Sequence, residues 1–477
     1  MAERIAVPET STGRSEVKAG GGAIALFVIV GFQLMVIVDG TIVNVALPAI
    51  QHSLGFTVTG LSWVVNAYVL AVGGLLLLGG RAGDVFGRRR IFVVGVALFT
   101  ASSLVAGLAT TPGWLIAARA VQGVGAALAG PSTLALIANN FAEGPERHRA
   151  LGAFSAAAGG GGSLGIIAGG MLTEWASWRW VMFVNVPVGL AVLLLTPRHV
   201  RESERHPGRF DVAGALTSGV ALTALAYGCV RGAGEGWGDR WSITAFAAAA
   251  LLLLAFVAVE RRAAAPIVPF SLLSQRNRTA AYVNMLVISG AMIGVFYFLT
   301  LFLQETLRFS ALETGFAFLT MTVPLFATAR IAAALLARTG AKPVTVVGTA
   351  LITAGIAWLS FLDAGSGFAG GVLGPLVLIG AGIGLTFMPL NSIILANTPP
   401  KHTGAASGLL QAMQRVGASV GLAVLVAIAA QADGQAEQAA RAYQASTVLV
   451  GIALCIALFV ITRPARSDDE TTRTPTQ

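Results

Sequence analysis

Residues 61–109 read LSWVVNAYVLAVGGLLLLGG, then RAGDVFGRRR, then IFVVGVALFTASSLVAGLA: two mostly apolar runs around a ten-residue turn that carries four arginines. A helix rises about 1.5 Å per residue, so either run crosses a hydrocarbon layer of roughly 30 Å. Lipid offers no partner to backbone N–H and C=O groups, so a run of this length must be helical if it spans. The turn is short, which makes the two helices antiparallel neighbours. Working outward, the same alternation of apolar run and short polar connection repeats along the whole chain, and fourteen spans are read from it. Composition agrees: 55% of the 477 residues are hydrophobic and 11% charged, against roughly 45–50% and 25% in soluble domains. The fold class expected is therefore an all-α polytopic membrane protein.

The charge pattern gives an expected orientation. Alternate loops hold Arg81, Arg88, Arg89 and Arg90, then Arg147 and Arg149, then Arg198, Arg201, Arg205 and Arg209, then Arg261, Arg262, Arg276 and Arg278. The opposite loops hold little beyond Arg231, Arg240, Arg308 and Arg441. By the positive-inside rule the first set and both termini are cytoplasmic, and this use of arginine accounts for the net charge of +9 without nucleic acid. The start of the chain lacks the layout of a cleaved export signal. Cys229 and Cys455 both fall in apolar runs, so neither a disulfide nor a metal site is expected. No GxxxxGK[ST] sequence is present, which leaves an ion gradient as the energy source and no cofactor.

An internal repeat is also legible. GRAGDVFGRRR (80–90) follows the second span and ARTGAKP (337–343) follows the tenth, each a tight basic turn containing glycine. If the two spans between 212 and 259 are an insert, each turn joins the second and third helices of a six-helix group. Repeats of this kind mark transporters, with the substrate between the halves near midplane. The expected divisions are a tail over 1–22, a six-helix bundle over 23–196, a loop with two inserted helices over 197–260, a linker over 261–279, a second six-helix bundle over 280–462 and a tail over 463–477.

Five stretches now carry a resemblance. GRAGDVFGRRR, with Gly80, Asp84, Gly87, Arg88 and Arg89 at the signature positions, resembles the signature loop of the major facilitator superfamily. VDGTIVNVALP (38–48), RAVQGVGAA (119–127), WRWVMFVNVPVG (178–189) and PIVPFSLLSQRNRTAA (266–281) resemble, in order, motifs of its fourteen-span drug:proton antiporters. The resemblance implies two six-helix bundles plus two inserted helices, a monomer in a bacterial plasma membrane, and export of small, largely apolar or cationic drugs by proton antiport. One position departs from it: GGSLGIIAGG (161–170) has Ile166 where the antiporter motif carries proline. A transporter of a defined metabolite, lipid or siderophore uses the same scaffold and stands as the alternative. A membrane-embedded sensor or enzyme is the third reading, without an appended soluble domain or a catalytic constellation to support it.

Candidate residues follow from cost. A carboxylate in the middle of a span costs roughly 2.5–3.5 kcal/mol, so Asp39 must face a partner or a cavity. Arg119 shares a helical face with Gln122 and Ala126, and the resemblance gives Asp39 and Arg119 to proton coupling. Arg415, with Gln411 one turn before it, and Arg330 are further cations within spans. The signature loop is expected to act as a conformational latch. Gly161, Gly165 and Gly169 recur every four residues, with Gly170 beside them, as a smooth ridge for another helix. Trp63, Asn66, Tyr68, Gln122, Tyr282, Phe296, Tyr297, Phe298, Phe387, Met388, Asn391, Gln411 and Arg415 have the chemistry of a broad, mostly apolar substrate cavity.

Overall fold

A computed structural model describes residues 19–141, 145–203, 212–262, 273–395, 403–432 and 434–462. The expected tail over 463–477 and most of the expected linker over 261–279 lie outside them, as does most of the tail over 1–22. Among the described residues all regular structure is helical. The first half contains α1 (Ala19–Leu54), α2 (Val58–Phe86), α3 (Arg88–Gly107), α4 (Pro112–Asn140), α5 (Pro145–Trp175), α6 (Trp178–Phe183) and α7 (Asn185–His199). The insert is α8 (Val212–Glu235) and α9 (Arg240–Arg262). The second half contains α10 (Arg276–Leu301), α11 (Ala311–Thr339), α12 (Ala341–Leu359), α13 (Leu373–Leu395), α14 (Thr403–Ala429) and α15 (Gln435–Cys455). Short π-helical turns extend the outer ends of α10 and α13 and the last turn of α15.

With α6 and α7 counted as one broken rod, the described residues form fourteen helical rods. Twelve helices among the described residues are both long and apolar enough to cross a membrane. The remaining two rods are α5 and α8. α1 is longer than its predicted run, continuing through Pro48 to Leu54. The α6–α7 break at Val184 places Asn185 and Pro187 in the first turn of α7, where proline's missing N–H has no helical partner to lose.

The repeat is visible in the backbone. Gly87 alone separates α2 from α3 and Gly340 alone separates α11 from α12, with φ of +106° and +82°. That region is strained for side chains bearing a Cβ, so the equivalent turn in each half is built on the one residue that enters it freely. A second equivalence lies in the packing. Gly165 and Gly169 of α5 meet Val38 and Ile42 of α1, while Gly417 and Gly421 of α14 meet Leu286 and Gly290 of α10. In each half the fifth helix lays two glycines, four apart, on the first.

α8 packs against α2 and α14 at once. Leu70 of α2, Ala226, Cys229 and Val230 of α8 and Ala423 of α14 form one buried apolar cluster across the three helices. Between α8 and α9, Asp239 accepts hydrogen bonds from Arg231 Nε (2.8 Å) and from the Trp241 and Ser242 N–H groups (both 3.1 Å) that open α9. The hydrogen bond from Arg231 holds the Asp239 carboxyl below its ordinary range, with the α9 N–H groups acting in the same direction. A depressed carboxyl contributes stability that is present above its unfolded-state pKa and lost as pH falls through the folded-state value. Acidification below the ordinary carboxylate range should therefore loosen the α8–α9 turn. Trp237, stacked on Phe246 at 6.3 Å, reports this as a fluorescence step, and Asp239→Asn should remove the step.

Candidate functional site

Charge inside a span needs compensation, and the first half supplies it around Asp39. The α1 carboxylate is fully buried. Its Oδ2 accepts from Arg119 Nη1 at 2.6 Å, and its Oδ1 accepts from Gln122 Nε2 and Asn185 Nδ2, each at 2.8 Å. Arg119 Nη1 also donates to Gln122 Oε1 (2.7 Å) and its Nε to the Val64 carbonyl (3.1 Å), while the guanidinium lies 4.3 Å over the Tyr68 ring. Ser103 accepts from both amides at 3.0 Å and donates to the Met182 carbonyl at 3.0 Å. Residues of α1, α2, α3, α4, α6 and α7 thus converge on one closed polar knot. The knot depends on helical spacing: Arg119 and Gln122, three apart on α4, present both side chains to α1. The Tyr68 hydroxyl beside it is buried without a hydrogen-bond partner among the described residues.

Asn185 and Ser103 were not singled out from the sequence. Asn185 lies inside WRWVMFVNVPVG, and the available signal was an amide at the break between two short helices. Ser103 gave none beyond being a hydroxyl in an apolar run.

The signature loop is a separate site. Asp84 pairs with Arg88 and lies 4.0 Å from Arg81, and Gly80 packs on Pro131. Glu202, also unforeseen, accepts from the Arg89 backbone N–H at 2.8 Å at the start of α3, with the Arg89 and Arg90 side chains 3.8 and 4.0 Å away. An anion there is favoured by the free N–H groups of the helix end. A Cβ on Gly87 would lie 2.8 Å from that carboxylate. Arg88 N–H donates to Ser203, and the Arg89 guanidinium reaches the Pro197 and Val200 carbonyls. The loop thereby fastens the α2–α3 turn to the segment after α7.

The glycine ridge finds its partner: Gly161, Gly165 and Gly169 pack on α1, whereas Gly170 meets Ala311 and Leu312 of α11 in the other half. The aromatic and amide candidates are dispersed. Trp63 faces the insert, 6.5 Å from Tyr227. Tyr282, Tyr297 and Phe298 are buried, with the Tyr282 hydroxyl on the Ala406 carbonyl and Tyr297 edge-on to Phe298. Phe296 stands 5.3 Å from Phe318. Asn66 bonds Ser419 of α14 at 3.3 Å. Phe387 and Asn391 are half-buried, Met388 and Gln411 exposed, and Arg415 half-buried on α14 against Gly73 of α2.

The halves meet along two seams, α2 with α14 and α5 with α11. The two halves are closed on each other at the end opposite the termini, along the α5–α11 seam and between α1 and the turn after α10. There Glu174 accepts from the Leu312 N–H (3.0 Å), Gln304 donates to the Val45 carbonyl (2.9 Å), and His52 meets Glu305 (2.8 Å).

A family model described as Major Facilitator Superfamily matches residues 29–422. The chain belongs to the Major Facilitator Superfamily. It is a multi-pass membrane transporter and not an enzyme, as the sequence reading expected. The cephamycin export protein CmcT of Amycolatopsis lactamdurans is 38% identical over 461 residues, covering 95% of this chain and 94% of that protein. The puromycin resistance protein pur8 of Streptomyces alboniger is 42% identical over 408 residues, covering 84% and 80%. Among solved structures, a bacterial homologue of the human lysosomal transporter Spinster, in an inward-facing and occupied conformation, superposes with a TM-score of 0.63. The identity there is 14%, over 93% of this chain and 97% of that one. That likeness confirms the two-bundle fold.

Proposed function

We propose that this transporter exports small organic drugs of the antibiotic class in exchange for protons, with its termini in the cytoplasm of a bacterial cell. The observation that carries the coupling is the Asp39–Arg119 knot: one carboxylate at membrane depth, held by three donors and by no acceptor. A proton on either oxygen adds a donor where only donors converge, so the knot cannot keep its present form in both protonation states. Arg119 bridges α1, α2 and α4, so its displacement transmits to the bundle that must rock. The match to an export protein over nearly the whole of both chains supports export as the direction. With the end opposite the termini closed, the structure corresponds in this reading to an inward-facing state.

Inside-out vesicles test the proposal with cephamycin C and puromycin as cargo. Uptake should rise when the interior is acidified and collapse when a protonophore is added. Uptake that ignores the gradient removes antiport, and absence of uptake of these and related drugs removes export.

A further inference from the structure

The charged side chains within the spans bear on what the transporter takes. Asp39 is the one carboxylate among the described residues that sits in the middle of a span, and it is buried within the first half and engaged by Arg119. Ionised, the pair sums to zero; protonated, it leaves Arg119 as a cation. In neither state does it offer negative charge to cargo.

Arg415 is the opposite case. It is residue 13 of the 27 in α14, about 18 Å from the start of that helix and about 21 Å from its end. Gln411, Arg415 and Ser419 follow at one-turn spacing, and the contacts of Arg415 with Gly73 and of Ser419 with Asn66 direct that face at the first half. Gly417 and Gly421, on the other side of α14, are occupied by α10. α8 covers the outer flank of the same seam, so the guanidinium is kept from lipid. Arg415 is half-exposed and makes no hydrogen bond or ion pair with the described residues. Arg330 adds to it: exposed and likewise without such a partner, it lies 18 residues after Leu312, about five turns, and hence on the face of α11 that meets α5. An arginine at membrane depth is costly unless it has a counter-charge, and a guanidinium binds carboxylate or sulfonate oxygens in a two-point fork.

We propose that Arg415 is the anion-recognising residue of the cargo site, so that the transporter prefers organic anions, with the carboxylate or sulfonate on Arg415. This rests on the export reading and narrows its small organic drugs to amphiphilic anions, in place of the apolar or cationic drugs that the resemblance implies. Arg330 supplies attraction at the approach along the α5–α11 seam.

The test uses a bacterial host stripped of its own efflux pumps, expressing the full chain or its Arg415→Gln, Arg415→Lys and Arg415→Glu variants at equal membrane levels. Inhibitory concentrations are read for fusidate and novobiocin as anions, chloramphenicol as a neutral drug, and ethidium and tetraphenylphosphonium as cations. Protection against the anions should fall about ten- to a hundredfold in Arg415→Gln, the weight of one charge-assisted contact, and persist in Arg415→Lys. Arg415→Glu should gain protection against the cations, a reversal that misfolding cannot imitate. Protection confined to neutral and cationic drugs, or anion protection unchanged in Arg415→Gln and Arg415→Glu, overturns the proposal and leaves export standing. Protection against no compound overturns export and this inference together.

Discussion

Asp39→Asn should abolish proton-driven export and also lower the stability of the folded protein. The amide keeps the shape and one acceptor oxygen, but it strips the counter-charge from Arg119, whose side chain is 2% exposed. Removing one partner of a buried ion pair costs roughly 3–5 kcal/mol, because the other charge is left uncompensated. The two effects are separable. Asp39→Asn/Arg119→Gln has no orphaned charge and should recover most of the lost thermal stability in detergent, while drug uptake into inside-out vesicles stays at background. A vesicle experiment in which Asp39→Asn still drives uptake with the pH gradient would take the carboxylate out of the coupling and leave the knot a structural device.

Gly170→Val should hold the transporter away from its closed state at the end opposite the termini. A Cβ at Gly170 would stand 2.6 Å from the Ala311 carbonyl oxygen and 2.7 Å from the Leu312 Cα. Both neighbours are backbone, so the helices must part. Overpacking of this kind costs about 1–3 kcal/mol, which shifts a two-state equilibrium by roughly 5- to 150-fold. The closure can be trapped by a disulfide between Glu174→Cys and Leu312→Cys, since the Glu174 carboxylate now bonds the Leu312 N–H, in a background with Cys229 and Cys455 replaced by serine. Gly170→Val should suppress that cross-link and export together. An undiminished cross-link yield would show that the seam yields to the extra methyls without opening.

Charge in an apolar run was the most legible feature of the site. Asp39 and Arg119 stand out because burying either alone is expensive, but that each is the other's partner is seen only in the fold. Neutral polar residues carry no such signal. Ser103 and Asn185 complete the knot, yet a hydroxyl or amide can bond its own helix, as Thr100 does on the Val96 carbonyl and Asn391 on the Phe387 carbonyl. Only the fold shows which ones reach across. Glu202 was hidden differently, since a loop carboxylate looks solvated until the start of α3 is seen above it.

The aromatic candidates show where periodicity stops. Trp63, Tyr282 and Phe298 suit a cavity wall by chemistry, but the side of a span that faces the chamber, its own bundle or the insert is a property of tertiary packing. Trp63 is turned to α8, and the internal repeat, which located the insert in sequence, says nothing of which flank it occupies. The division into halves was legible through its basic turns. The matching glycine pairs of α5 and α14 add to it, and they are recognisable as a repeat only once α1 and α10 are seen lying on them.

The position of α8 makes the two seams mechanically unequal. One apolar cluster joins α8 to a helix of each half, whereas the opposite seam has glycines and a few hydrogen bonds at a single end. Such a molecule opens as a bound book does. Its α2–α14 edge is the spine, where leaves pivot with little travel, and its α5–α11 edge is the fore-edge, where the same rotation sweeps the greatest distance.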